Sequence, residues 1–216
     1  GKIIRQRRSA VELDGITSLK KDAFYEMLSR LLPSLTPVPW DAIYWPSFIH
    51  LGLFIHRIEG LPSGLYFLVR NEEKLSWLQS LLDKEFLWQK PDDCSLPLYQ
   101  LIQRDFRHIA ASASCGQEIA GAGAFSVAML AEFESVLQTY GSSFYRHLHW
   151  EAGLIGQVLY LEAEAKGIRG TGIGCFFDDL VHHVFGLTGH SLQNLYNFTL
   201  GGALEDARLS TLPAYP

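Results

Sequence analysis

Apolar residues recur along the chain with two periods, and the switches between them outline helices and strands. Phe24, Met27, Leu28 and Leu31 fall at i, i+3, i+4 and i+7, which predicts a helix capped by Ser18 and ended by Pro33. Residues 33–47 hold Pro33, Pro37, Pro39 and Pro46 among Trp40, Tyr44 and Trp45. That much aromatic surface predicts an ordered loop rather than a linker. His50 to Ile58 and Leu65 to Arg70 read as strands, with hairpin-type turn residues from Glu59 to Gly64 between them. Glu72 to Asp83 reads as a helix with Leu75, Leu78, Leu81 and Leu82 inward, Leu98 to Gln103 as a strand, and Asp105 to Ser114 as a helix. Ala124 to Glu132 (AFSVAMLAE) fits a buried helix or a buried strand, and periodicity alone does not decide. The longest helix runs from Phe144 to Lys166, with Leu148, Ala152, Ile155, Leu159 and Ala163 in one stripe and Gly167 at the C-terminal stop. A short helix from Asp178 and a strand from Leu195 to Leu200 precede a polar tail. Hairpin-like strands mixed with long helices predict an α+β fold rather than a doubly wound sheet.

Composition narrows the class. The chain has 216 residues, 48% hydrophobic and 19% charged, which suits one domain (residues 1–216) with a full core and excludes general disorder. Lys+Arg number 18 against 23 Asp+Glu. That balance argues against a protein built to grip nucleic acid. No segment offers the ~20 apolar residues of a membrane span. Cys94, Cys115 and Cys175 are odd in number and widely spaced, so no disulfide framework is expected and a reducing cytoplasm is the expected compartment. The start, GKIIRQRRS, carries basic residues without the apolar stretch of a signal peptide. It also lacks an initiator Met, compatible with processing or with a piece of a longer protein.

Candidate chemistry is sparse. His147 and His149 diverge by roughly 200° on a helix. No ligand set with metal spacing appears, so no metal site is expected. Gly170-x-Gly172-x-Gly174 lacks the Lys-Ser/Thr of a phosphate-binding Walker loop and follows a helix rather than a strand, against a dinucleotide fingerprint. Two readings remain: a flexible connection, or a loop whose bare backbone admits a flat ligand. No nucleophile elbow is present, and Asp92-Asp93 and Asp178-Asp179 read as solvated pairs. Arg7-Arg8-Ser9 and Arg208 suit one phosphate through guanidinium forks, provided the fold joins its termini.

An ordered set of segments resembles the FMN-dependent nitroreductase family, closest to its SagB-type dehydrogenase branch. It comprises Arg7-Arg8-Ser9; Gly64-Leu65-Tyr66 before the helix with Leu75; and Tyr145-Arg146 through Glu151-Ala152-Gly153 to Gly156-Gln157. Gly172-Ile173-Gly174-Cys175-Phe176 with Phe185-Gly186-Leu187 follows, and then Leu195-Tyr196 to Gly201-Gly202 with Asp206 and Arg208. The resemblance implies a mainly antiparallel central sheet flanked by helices, a homodimer, FMN at the dimer interface, and NAD(P)H or a substrate as reductant. It implies that Arg7, Arg8 and Ser9 contact the FMN phosphate, ribityl chain or pyrimidine edge, and that Arg208 pairs with the phosphate. It sets Gly172, Ile173, Gly174 and Cys175 along the ring. In the place of a small-residue pocket segment the chain reads Trp45-Pro46-Ser47-Phe48, where Pro46 and Ser47 keep the pocket role and Phe48 is expected to narrow it. Gly174 stands where many members place an acidic residue. Trp40, Tyr44 and Trp45 either line a substrate face or pack in the core or interface, the second being the plainer reading. The implied substrate is a small molecule or a peptide. The alternative is a non-catalytic domain that keeps the fold for dimerisation or partner binding.

Overall fold

The segment whose pattern fits both helix and strand is the centre of the sheet. In the computed structural model, which describes residues 1–35, 37–208, 210 and 212, Phe125–Glu132 is a strand with all eight residues buried. Helices cover both faces of the sheet there, so the polar half of the usual strand alternation is lost.

The elements in chain order begin with α1 (Lys2–Gln6), β1 (Leu19–Lys20), α2 (Lys21–Ser29), β2 (Ile49–Ile55), β3 (Ile58–Glu59) and β4 (Gly64–Leu68). There follow α3 (Leu75–Leu81), β5 (Leu98–Gln103), α4 (Arg107–Ala113), α5 (Ile119–Ala122) and β6 (Phe125–Glu132). The last are α6 (Glu134–Tyr140), α7 (Tyr145–Ala165), β7 (Arg169–Ile173), α8 (Asp178–Phe185) and β8 (Leu192–Gly201). Six strands form one sheet in the order β5-β4-β2-β6-β8-β7, every neighbouring pair antiparallel. The fold is α+β.

Period two sorts the sheet's residues between two cores. Leu51, Leu53, Val127 and Met129 face α2 and α7, meeting Phe24, Met27, Leu28, Leu148 and Ile155. Phe54, Ala128 and Leu130 face the other way, with Leu78, Ala110, Val181 and Phe185 of α3, α4 and α8. A Cβ at Gly52 would collide with the Phe185 ring, so glycine lets α8 seat closely on β2. Gly167, at φ +74°, follows α7 as its left-handed stop.

Three expectations change. Ser18 does not cap α2: the N-cap is Lys20, and the Ser18 hydroxyl donates to Glu59 across the parallel β1–β3 pair. The predicted strand from His50 to Ile58 breaks where the His56 and Arg57 amides both donate to the Ala124 carbonyl. The glycine stretch is not a loop along its whole length: residues 169–173 form edge strand β7, paired with β8.

Candidate functional site

The chain ends meet along one seam. The Asp14 amide donates to Gly202 O (2.9 Å) and the Leu204 amide to Glu12 O (3.0 Å), flanking a bridge between Leu13 and Ala203. The Ala10 amide donates to Gly170 O at 3.0 Å. Arg8 Nη2 donates to Leu212 O at 3.3 Å. Contacts to Glu12 and Arg8 thus bracket the stretch that carries Arg208, whose own guanidinium is held by Asp206 at 2.7 and 2.9 Å.

Tyr160, on α7, organises the inner side of this seam. The Arg7 guanidinium lies 4.7 Å from its ring centroid, a cation–π distance. Its hydroxyl shares a 3.0 Å hydrogen bond with Ser9 Oγ and accepts the Gly172 N–H at 3.0 Å. Arg7 and Ser9 thereby converge on one phenol with Gly172, more than 160 residues further along the chain. Beside it a groove of about 270 Å³ runs between α7 and β8, lined by His149, Gly153, Gly156, Gln157, Tyr160 and Tyr196. Nothing in the sequence marked Tyr160, because an aromatic residue on a helix reads as packing.

The glycines at 170, 172 and 174, the last just beyond β7, divide by role. Side chains at Gly170 and Gly172 would strike the Phe198 and Tyr196 rings, so bare backbone there makes room for β8 aromatics. Gly174 alone opens on empty space, with nothing within 4 Å of the position a Cβ would take. Ile173, side chain and backbone together, is 3% exposed and belongs to the second core. Cys175 is bonded to Cys115. That overturns the expectation of no disulfide, since residues far apart in sequence are brought together only by the fold.

Pro46 and Ser47 lie elsewhere. They precede β2 at the sheet end where Ile49 pairs with Ala131 and Ala131 with Gln193. The seam reaches β8 near Leu200, opposite Gly170. Seven residues of strand separate these points, about 23 Å. The Phe48 ring packs at 5.7 Å from Tyr140 and 5.9 Å from Phe144. Trp40 and Trp45 are core residues, whereas Tyr44 is 80% exposed.

The loop carrying Pro46 and Ser47 is anchored by buried charges. Glu151 of α7 accepts the Phe48 and Ile49 amides at 3.1 and 3.3 Å and pairs with Arg70, both side chains fully buried. Arg70 also donates to Leu31 O (2.8 Å) and Ile49 O (2.9 Å) and stacks on Trp40. His50 Nδ1 accepts the Arg70 amide at 3.2 Å, which leaves the proton on Nε2, 3.5 Å from Glu132. Burial lowers the pKa of His50 despite that carboxylate. Sequence patterning gave no sign of this cluster. Among the described residues no group of three or more His, Cys, Asp or Glu side chains could hold a metal ion, and no helix is long and apolar enough to cross a membrane.

Comparison with known families settles the class. The nitroreductase family model matches residues 64–201. The chain belongs to the nitroreductase family. It is similar to a nitroreductase-assigned protein of Anabaena variabilis ATCC 29413, with a TM-score of 0.70 at 23% identity over 92% of this chain and 37% of that one. It is also similar to a chain of the E. coli microcin synthetase McbBCD complex with truncated pro-MccB17 bound (TM-score 0.67, 18% identity, 93% and 71% coverage). In sequence it is 22% identical over 95 residues to the nitroreductase-assigned MJ1384 of Methanocaldococcus jannaschii, covering 44% of this chain and 48% of that protein. The chain thus spans about half the length of that relative in the match, and little more than a third of the Anabaena chain.

Proposed function

We propose that residues 1–216 form one FMN-binding domain that acts as a flavin-dependent oxidoreductase, with flavin bound between two copies of the chain. The observation that supports this is the seam, where Arg7, Ser9 and Gly172 meet Tyr160 and residues 202–204 are joined to residues 12–14; Arg208 is proposed to join them from the stretch that follows. Guanidinium groups with two hydroxyls are the donor set of a phosphate site, so these residues fit an anionic headgroup. The groove, at about 270 Å³, falls short of the 300–1,000 Å³ of a full cofactor pocket, and Pro46 and Ser47 stand at the far end of the sheet. A second copy is therefore assigned the role of completing the site with its own Pro46–Ser47 loop.

When bound, FMN supplies the hydride chemistry. The chain's residues do the rest. Arg7, Arg8 and Arg208 hold the phosphate, Ser9 and Tyr160 fix the polar edge beside it, and backbone at Gly172, Ile173, Gly174 and Cys175 lies along the ring. The Gly172 N–H is committed to Tyr160, so with FMN bound the open backbone at Gly174 would be the donor available to stabilise negative charge on it. NAD(P)H is the proposed reductant and a small molecule or peptide the proposed substrate, in the manner of SagB-type dehydrogenases, in the cytoplasm.

One observation favours the non-catalytic reading: Arg8 spends its guanidinium on the carbonyls of Arg5, Arg7 and Leu212. The two readings separate in one experiment. The flavoprotein purifies yellow or takes up added FMN, bleaches with NAD(P)H, and loses roughly tenfold in FMN affinity on Arg208→Ala. Colourless protein that rejects FMN leaves the scaffold reading standing alone.

A further inference from the structure

Cys115 and Cys175 lie 60 residues apart in sequence and are bonded across a Cα–Cα distance of 5.8 Å. Cys115 follows α4 in the left-handed conformation, φ +57°, a region that few non-glycine residues occupy. Cys175 lies in the loop leaving β7. It is exposed and Cys115 half-buried, whereas Cys94 is buried and unpaired. Solvent reagents therefore meet the bonded pair and not the third thiol.

The bond closes a junction that is already folded. Neither cysteine belongs to either apolar core, and a chain of this size does not depend on a staple for its stability. Two other ties join the same segments: the Phe177 amide donates to Ala113 O (2.8 Å) and Gln117 Nε2 to Cys175 O (3.2 Å). Opening the disulfide removes the covalent tie from residues 174–177 and leaves both cores intact.

We infer that Cys115–Cys175 is a thiol–disulfide exchange site, opened by dithiols, whose state sets the mobility of the 174–177 loop. The thiolate of a dithiol attacks the more exposed Cys175 sulfur, forming a mixed disulfide and releasing Cys115 as a thiolate that takes a proton from solvent. The donor's second thiolate then attacks its own sulfur in the mixed disulfide. The donor departs as a disulfide and Cys175 leaves as a thiol after protonation. Two electrons and two protons reach the cysteine pair, and the donor is oxidised by the same amount. The loop so freed is the one assigned above to the flavin edge. That consequence rests on the flavin reading; the exchange site does not.

The test uses the full chain without flavin, so the two readings fail separately. Native protein is equilibrated with dithiothreitol at graded ratios of reduced to oxidised form, alkylated with a maleimide, and counted by mass. The expected result is no label in the oxidised protein, two labels after reduction under native conditions, and a third, on Cys94, only after denaturation. Amide exchange at residues 174–177 is expected to speed by roughly tenfold on reduction, with β2 and β6 unchanged. The Cys115→Ser/Cys175→Ser double variant shows the fast loop in any redox buffer. Two labels without reductant, no label until the fold is lost, or a loop equally mobile in both states would each overturn the inference.

Discussion

Glu151 carries its charge where no water reaches it, opposite an equally buried Arg70. Such a pair contributes little net stability against an apolar replacement, but breaking it leaves a charge stranded. Glu151→Ala strands the Arg70 guanidinium and two backbone amides, so urea unfolding should show a loss of about 3–5 kcal/mol. Glu151→Gln keeps an acceptor for those amides and should lose clearly less. His56 makes a second residue-level prediction. Burial lowers its pKa to about 4, and its Nε2 faces Ala120 O at 3.1 Å, so the folded ring is neutral. The unfolded chain binds the proton first as pH falls, so stability is fully present above about 6.5 and declines towards 4. The decline attributable to His56 should be roughly 2 kcal/mol, below the full linkage value because the ring is partly exposed. Urea midpoints measured from pH 7 to 4 should fall less steeply in His56→Gln, whose amide can still donate to Ala120. Glu151 stood in a family-like motif in the sequence, but neither its buried role nor that of His56 was legible there. A buried Glu in a helix and a His after a strand carry no periodic signature, and their partners come from segments tens of residues away.

Strand β7 shows how an element can be misread from its own composition. Glycines at alternate positions suggest a loop, because glycine weakens a strand. The structure supplies the missing reason: Phe198 and Tyr196 of β8 lie across the positions where side chains at 170 and 172 would stand. Gly172→Ala should therefore overpack the contact and lose about 1–3 kcal/mol by thermal unfolding. Tyr196→Phe removes the hydroxyl nearest the new methyl and should recover part of that loss. Gly174→Ala meets open space and should stay within about 0.5 kcal/mol of the parent. Helix α7 was legible almost to the residue, because its apolar stripe packs on one sheet face and Gly167 ends it. Segment 124–132 was ambiguous for the opposite reason: burial on both faces erases the alternation that would name it a strand. The fold class was readable because it depends on the number and order of elements, which survive such local errors.

At the scale of the whole molecule, the proposed flavin site takes its seam from one copy and its Pro46–Ser47 loop from another. Within one chain some 23 Å of strand separates the Gly170 end of the seam from that loop, which favours a loop supplied by a second copy. Patterning along one chain does not show this, since the relation lies between chains. It does make a complementation test possible. A copy carrying Arg7→Ala/Arg8→Ala and a copy carrying Pro46→Trp, a change at an exposed position, should each form folded dimers that bind FMN poorly. Unfolded together and refolded, they pair at random, and a mixed dimer holds one site with both defects and one with neither. Since half the dimers are mixed and half their sites are whole, about a quarter of all sites should regain parental affinity in a fluorescence titration. A site built within one chain would regain none, because each copy would keep its own defect whatever its neighbour.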